Sequence, residues 1–91
     1  MKIIDKSGTI LKTGVVQTML EPYDLRKGFC IQNLSPSHSL WISDTGSASA
    51  GQGSIRIDPG VIFSTIQYFP VAKGAVTILG NHGTQFTCRE W

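Results

Sequence analysis

Residues 26–46 read "RKGFCIQNLSPSHSLWISDTG". Within them, FCIQNL (29–34) and SLWIS (39–43) are short runs rich in β-branched, aromatic and other apolar side chains, which suit a pleated, half-buried surface. SPSH (35–38) separates them, with Pro36 presetting φ for the first corner of a tight turn. The stretch therefore predicts a strand, a hairpin-type turn and a return strand. Strand alternation puts Phe29 and Ile31 on one face, and sets Leu40 and Ile42 together with Trp41 opposite.

The same pattern repeats along the chain and makes the fold class all-β. KII (2–4) predicts a first strand and DKSG (5–8) a turn. TILKTGVVQTML (9–20) predicts an extended run kinked at Gly14. EPYDLRKG (21–28) is a connection, since Pro22 cannot donate to a ladder. After residue 43, DTGSASAGQG (44–53) predicts a mobile loop of small residues, SIRI (54–57) a strand, DPG (58–60) a turn and VIFSTI (61–66) a strand. QYFPVAKG (67–74) is a further loop. AVTIL (75–79), GNHG (80–83) and TQFTCREW (84–91) predict a C-terminal hairpin. Ile55 and Ile57 face inward with Arg56 outward, Val76 pairs its face with Ile78, and Phe86 with Cys88. Seven to eight strands at this spacing predict one small antiparallel β-sandwich, jelly-roll-like or immunoglobulin-like. Residues 1–20 are expected to be an extended segment or arm, and residues 21–91 the sandwich core.

Composition narrows the partners. The chain has 91 residues and a net charge of +2, and its 15% charged residues fall below the usual share of about 25%. Arg26-Lys27 is the largest basic cluster, too little for a nucleic-acid surface. The start, MKIIDK, lacks the apolar stretch of a secretory leader. No run approaches the roughly 18 apolar residues of a membrane span. Neither nucleic acid nor membrane is expected as a partner. Cys30 and Cys88 are too few for a disulfide scaffold and are expected as buried free thiols.

Asp44-Thr45-Gly46 is the short signature of aspartic proteases, which place two Asp carboxylates about 3 Å apart. Here Ser43 precedes the Asp where those enzymes carry apolar residues, and a Ser/Ala/Gly loop follows where they need a packed strand. A dimeric protease is therefore disfavoured. Cys30, His38, His82 and Cys88 lack the compact ligand pairs of a zinc site. GSASAGQGS (46–54) lacks the Gly-Lys-Ser/Thr ending of a phosphate loop, and no G-x-S-x-G elbow is present. The expectation is a protein that is not an enzyme and has no cofactor or metal. Trp41 and Trp91 remain as contact candidates, because exposed indoles serve interfaces and sugar stacking; the other reading of Trp41 is a cover over the second sheet's core, and that of Trp91 a docked chain end.

The ordered set SGTI (7–10), VVQTML (15–20), LRKGFCIQNLS (25–35), SLWISDTGSA (39–48), SIRIDPG (54–60) and AVTILGNHGTQFTCREW (75–91) resembles a family of small phage and prophage proteins. The resemblance spans residues 7–91. It implies a virion structural component of β-sandwich fold, of the capsid decoration or cement type, with Asp44-Thr45-Gly46 as a variable turn and no catalytic residues. It further implies a major capsid protein as partner, a homo-oligomer (dimer or trimer), and a place on the capsid surface after synthesis in a bacterial cytoplasm. A phage tail module or a host-surface glycan binder is the alternative. The candidate partner contacts are Ile3, Ile4, Ile10, Leu11, Val15, Val16, Trp41 and Trp91.

Overall fold

The computed structural model describes residues 2–65 and 70–91. Among them are nine strands and no helix: β1 (Ile4–Asp5), β2 (Gly8–Thr9), β3 (Gln17–Leu20), β4 (Phe29–Asn33), β5 (Leu40–Ser43), β6 (Ile55–Ile57), β7 (Ile62–Ser64), β8 (Val76–Leu79) and β9 (Gln85–Glu90). Among the described residues no helix is long and apolar enough to cross a membrane. The strands form two antiparallel sheets. The five-stranded sheet runs β1-β9-β4-β7, with β2 also on β9, and the four-stranded sheet runs β3-β8-β5-β6.

Nine strands replace the expected seven to eight because the single run expected over 9–20 divides into β2 and β3 at the turn around Gly14. β1 and β2 pair with β9 in one unbroken register, Ile4 opposite Glu90 and Thr9 opposite Gln85. Between β1 and β2, the Asp5 carboxylate accepts from the Ser7 amide (3.0 Å) and hydroxyl (2.6 Å). The Ser7 hydroxyl oxygen then accepts from the Cys88 amide at 3.0 Å, standing in for a ladder carbonyl. The stretch 1–20, read as an extended segment or arm, thus contributes β1 and β2 to one sheet and β3 to the other. The kink expected at Gly14 is a full turn, with Gly14 at φ +73°.

Both expected hairpins are corrected. β4 lies in the five-stranded sheet and β5 in the four-stranded one, and β8 and β9 are divided likewise. Residues 34–39 and 80–84 therefore hand the chain from one sheet to the other. Asn33 builds the first crossing. Its side chain is fully buried; Nδ2 donates to the carbonyls of His38 (2.8 Å) and Ile57 (2.9 Å), and Oδ1 accepts from the Ser35 amide (2.8 Å). The Ser35 hydroxyl accepts from the His38 amide at 2.9 Å. Asn33 thereby ties β4 of one sheet to the end of β6 in the other. At the second crossing Gly80 is packed so closely that a Cβ would stand 2.6 Å from Leu40 Cδ2.

The alternation read from the sequence is observed. Phe29, Ile31, Phe86 and Cys88 from one sheet meet Leu20, Leu40, Ile42, Ile57, Val76 and Ile78 from the other in a single buried cluster. Each fully buried Ile, Leu or Phe there contributes about 1.5–3 kcal/mol through removal from water. The loop at 44–53, expected to be mobile, is anchored. The Ala48 amide donates to Thr77 Oγ1 at 2.9 Å, that hydroxyl donates to the Gly46 carbonyl at 2.8 Å, and Ala48 is buried. Of the strand expected over 61–66 and the loop over 67–74, residues 66–69 lie outside the described residues, as does Met1.

Arg26 is the largest surprise. It was counted only as half of the largest basic cluster, yet its side chain has 0% exposure. Nε donates to Glu90 Oε1 at 2.8 Å. Nη1 donates to the carbonyls of Ala72 (2.6 Å) and Gly74 (2.9 Å), and Nη2 to that of Glu21 (2.6 Å). One guanidinium thus fastens β9, the 21–28 connection and the 70–75 loop. Its planar fork supplies donors in several directions at once, which an ammonium cannot do.

Candidate functional site

Strand directions sort the connections into two ends. Residues 10–16, 34–39, 58–61 and 80–84 gather at one end, because β2, β4 and β8 finish there and β7 and β9 begin there. Backbone bonds join them: the Gly14 amide donates to the Gly80 carbonyl (3.2 Å), Gly83 to Ile10 (2.9 Å), Gly60 to Asn33 (2.9 Å) and Leu34 to Gln85 (3.1 Å). The connections 21–28 and 44–54 lie at the other end with Trp91.

The apolar surface is concentrated on the first end. Eight large apolar side chains are exposed among the described residues, and six lie there: Leu11, Val15, Val16, Leu34, Val61 and Ile62. Leu11 is 69% exposed and Ile62 60%. Scattered exposed apolar residues are ordinary on a protein surface; a gathering of them with polar neighbours is the mark of an interaction face. Here the polar neighbours include His38 and His82, which line one open cleft of about 290 Å³ with Leu34, Pro36 and Gln85.

The expected contact residues divide accordingly. Leu11, Val15 and Val16 are on this apolar end. Ile10, named with them, is core: it is 1% exposed and packs beside Gly80. Ile3 is exposed and Ile4 half-buried opposite Glu90, both at the other end. Trp41 is half-buried on the outer face of the four-stranded sheet, with the Arg56 guanidinium 6.0 Å from its ring centroid. Arg56 is held there by Asp58 at 3.0 Å. Trp91 is half-buried against Gly28. Leu34, Val61 and Ile62 were missed because strand-end apolar residues look like core in sequence. Their outward direction follows only once β4 and β7 are paired.

The four residues once considered for zinc are scattered. The histidines share the cleft at the apolar end, Cys88 is in the core, and Cys30 is half-buried on the opposite face of its sheet. Cys30 was expected buried, but alternation turns it outward, since Ile31 opposite Cys88 takes the inner side. The two thiols therefore point to opposite faces, a geometry that a disulfide cannot bridge without backbone movement. Burial pushes the Cys88 thiol up to about 12. No cluster of three or more potential ligands occurs among the described residues. Asp44 is exposed in the turn after β5.

Fold and surface together define a small all-β protein of two antiparallel sheets with an apolar loop end. No family model, curated protein or solved structure matches the chain.

Proposed function

We propose that this chain is a bacteriophage virion structural protein, a capsid decoration protein that docks on the major capsid protein and stabilises the head. The observation that carries the reading is the crowding of Leu11, Val15, Val16, Leu34, Val61 and Ile62 on one loop end. A small domain gains stability from any partner that binds only its folded state, and a low-charge surface suits broad neutral contact. The strand order also supports it. With β1 and β2 counted as one strand, the sheets take the order 1-8-3-6 and 2-7-4-5, a two-sheet jelly roll, an architecture common in viral capsid and lectin domains. Fold alone does not assign function, so the surface carries the weight. In this reading the apolar end faces the capsid, copies gather as a dimer or trimer about local symmetry axes, and the protein is made in the bacterial cytoplasm.

Quantitative mass spectrometry of purified particles tests it. Decoration predicts copies on the order of hundreds per particle, following icosahedral subunit numbers. Leu11→Asp with Val15→Asp should leave the protein folded but absent from heads. Three, six or twelve copies per particle would move it to a tail, and absence from particles would end the virion reading.

A further inference from the structure

The end opposite the apolar loops carries a second surface. Lys2, Tyr23, Leu25, Lys27 and Trp91 line an open depression of about 270 Å³. Its wall is a fixed indole. The Trp91 amide donates to the Gly28 carbonyl and the Gly28 amide to the Trp91 carbonyl, both at 3.0 Å. A Cβ on Gly28 would stand 2.7–2.8 Å from three indole atoms, so the ring lies directly on that glycine's backbone. Trp91 is nevertheless only half-buried, and Leu25 beside it is 72% exposed.

Among the described residues, Lys2 Nζ, Lys27 Nζ, Tyr23 Oη and Trp91 Nε1 enter no side-chain hydrogen bond or ion pair. An ammonium and an indole N–H can only donate, so their complement must be rich in acceptors. No Asp or Glu side chain lines the depression. Glu21 and Glu90 line the neighbouring one, where Glu90 is paired with Arg26 and Lys6. A rigid aromatic wall that shares its depression with two lysines and a tyrosine, none of them paired through its side chain among the described residues, calls for a ligand with a flat apolar face, several oxygens and a negative charge.

We propose that this depression binds an acidic pyranose, a sugar carrying a carboxylate or sulfate, as a residue of a polysaccharide. The sugar's C–H face lies on the Trp91 indole, its anionic group meets Lys2 and Lys27, and the Tyr23 hydroxyl takes a ring substituent. The site does not rest on the virion reading, and either can fail alone.

The test uses the full chain carrying Trp41→Phe, which leaves Trp91 as the sole indole. Its emission is titrated with oligogalacturonate, oligosialate and a sulfated galactan oligomer, with maltotetraose and sodium sulfate as controls. At least one acidic oligosaccharide should shift the emission saturably. Lys2→Glu with Lys27→Glu, which leaves the indole in place, should weaken that binding tenfold or more at unchanged circular dichroism. Four results would each overturn the proposal: no shift with any acidic oligomer, equal binding of maltotetraose, indifference to the charge reversal, or the same shift with sulfate alone.

Discussion

Replacing Arg26 by Met removes the guanidinium while keeping much of its volume. Glu90, 3% exposed, then loses its 2.8 Å partner and keeps only Lys6 at 3.8 Å. The carbonyls of Glu21, Ala72 and Gly74 lose their donor together. Removing one member of a buried pair costs about 3–5 kcal/mol, because the remaining charge stays out of water uncompensated. A domain of this size has about 5–15 kcal/mol in total. With a urea slope of about 1.5 kcal/mol/M, the midpoint should fall by roughly 2–3 M. Equilibrium urea unfolding followed by tryptophan emission measures this. Arg26→Met with Glu90→Gln should recover about 1–2 kcal/mol, since the stranded charge is gone while the orphaned carbonyls remain. Arg26→Lys should behave nearer to Met than to wild type, because a point ammonium cannot reach the carboxylate and three carbonyls at once. A midpoint shift below about 0.5 M for Arg26→Met, at an unchanged slope, would refute the view that this guanidinium fastens the three segments.

Other substitutions probe separate parts of the reasoning. Asn33→Ala should cost about 2–4 kcal/mol in the same urea experiment, as two buried carbonyls and the Ser35 amide lose their partner. Gly80→Ala should cost about 1–3 kcal/mol from overpacking, and Leu40→Val in the same chain should cost less than the sum of the two single changes, since it removes the Cδ2 that the new methyl meets. One maleimide per folded chain should label Cys30, and two should label in denaturant; rapid labelling of Cys88 in the native state would contradict its burial. Asp5, whose bonds from the Ser7 hydroxyl and amide hold its carboxyl below the ordinary 3.8, adds stability above that value and loses it as pH falls further. The stability difference between wild type and Asp5→Asn should therefore be constant near neutrality and shrink below about pH 4.

The alternation of Phe29 with Ile31, Leu40 with Ile42 and Val76 with Ile78 was legible because period two marks a half-buried strand whatever its partner. Which sheet each strand joins was not. SPSH and GNHG are turn sequences, but a turn that folds a strand back beside its neighbour and one that crosses to the facing sheet use the same residues. Asn33 decides between them only through its bonds to His38 and Ile57, and Ile57 lies 24 residues away. Arg26 was hidden for a similar reason: its partner Glu90 is 64 residues distant, and a guanidinium next to Lys27 reads as surface charge. At the apolar end, Leu11, Val15 and Val16 were singled out because residues 1–20 read as an arm, a reading that also took in the buried Ile10, whereas Leu34, Val61 and Ile62 look like strand core. Trp91 could be marked as docked or functional, but its seat on Gly28 could not be read.

The position of β9 bears on how the molecule comes to exist. It is the interior strand that joins β1, β2 and β4, so the five-stranded sheet has no centre until residues 85–90 are in place. Among strands adjacent in sequence, β5 and β6 alone pair directly among the described residues. Almost every ladder must close a long loop before any contact offsets the lost chain entropy, which places refolding in the millisecond-to-second range of β topologies. The same interlacing acts in reverse. Freeing β4 or β9 from one sheet pulls on β5 or β8 of the other, so opening has to proceed through both sheets together. The barrier to unfolding should consequently be high for the modest equilibrium stability of so short a chain, and the native state should persist for reasons of rate.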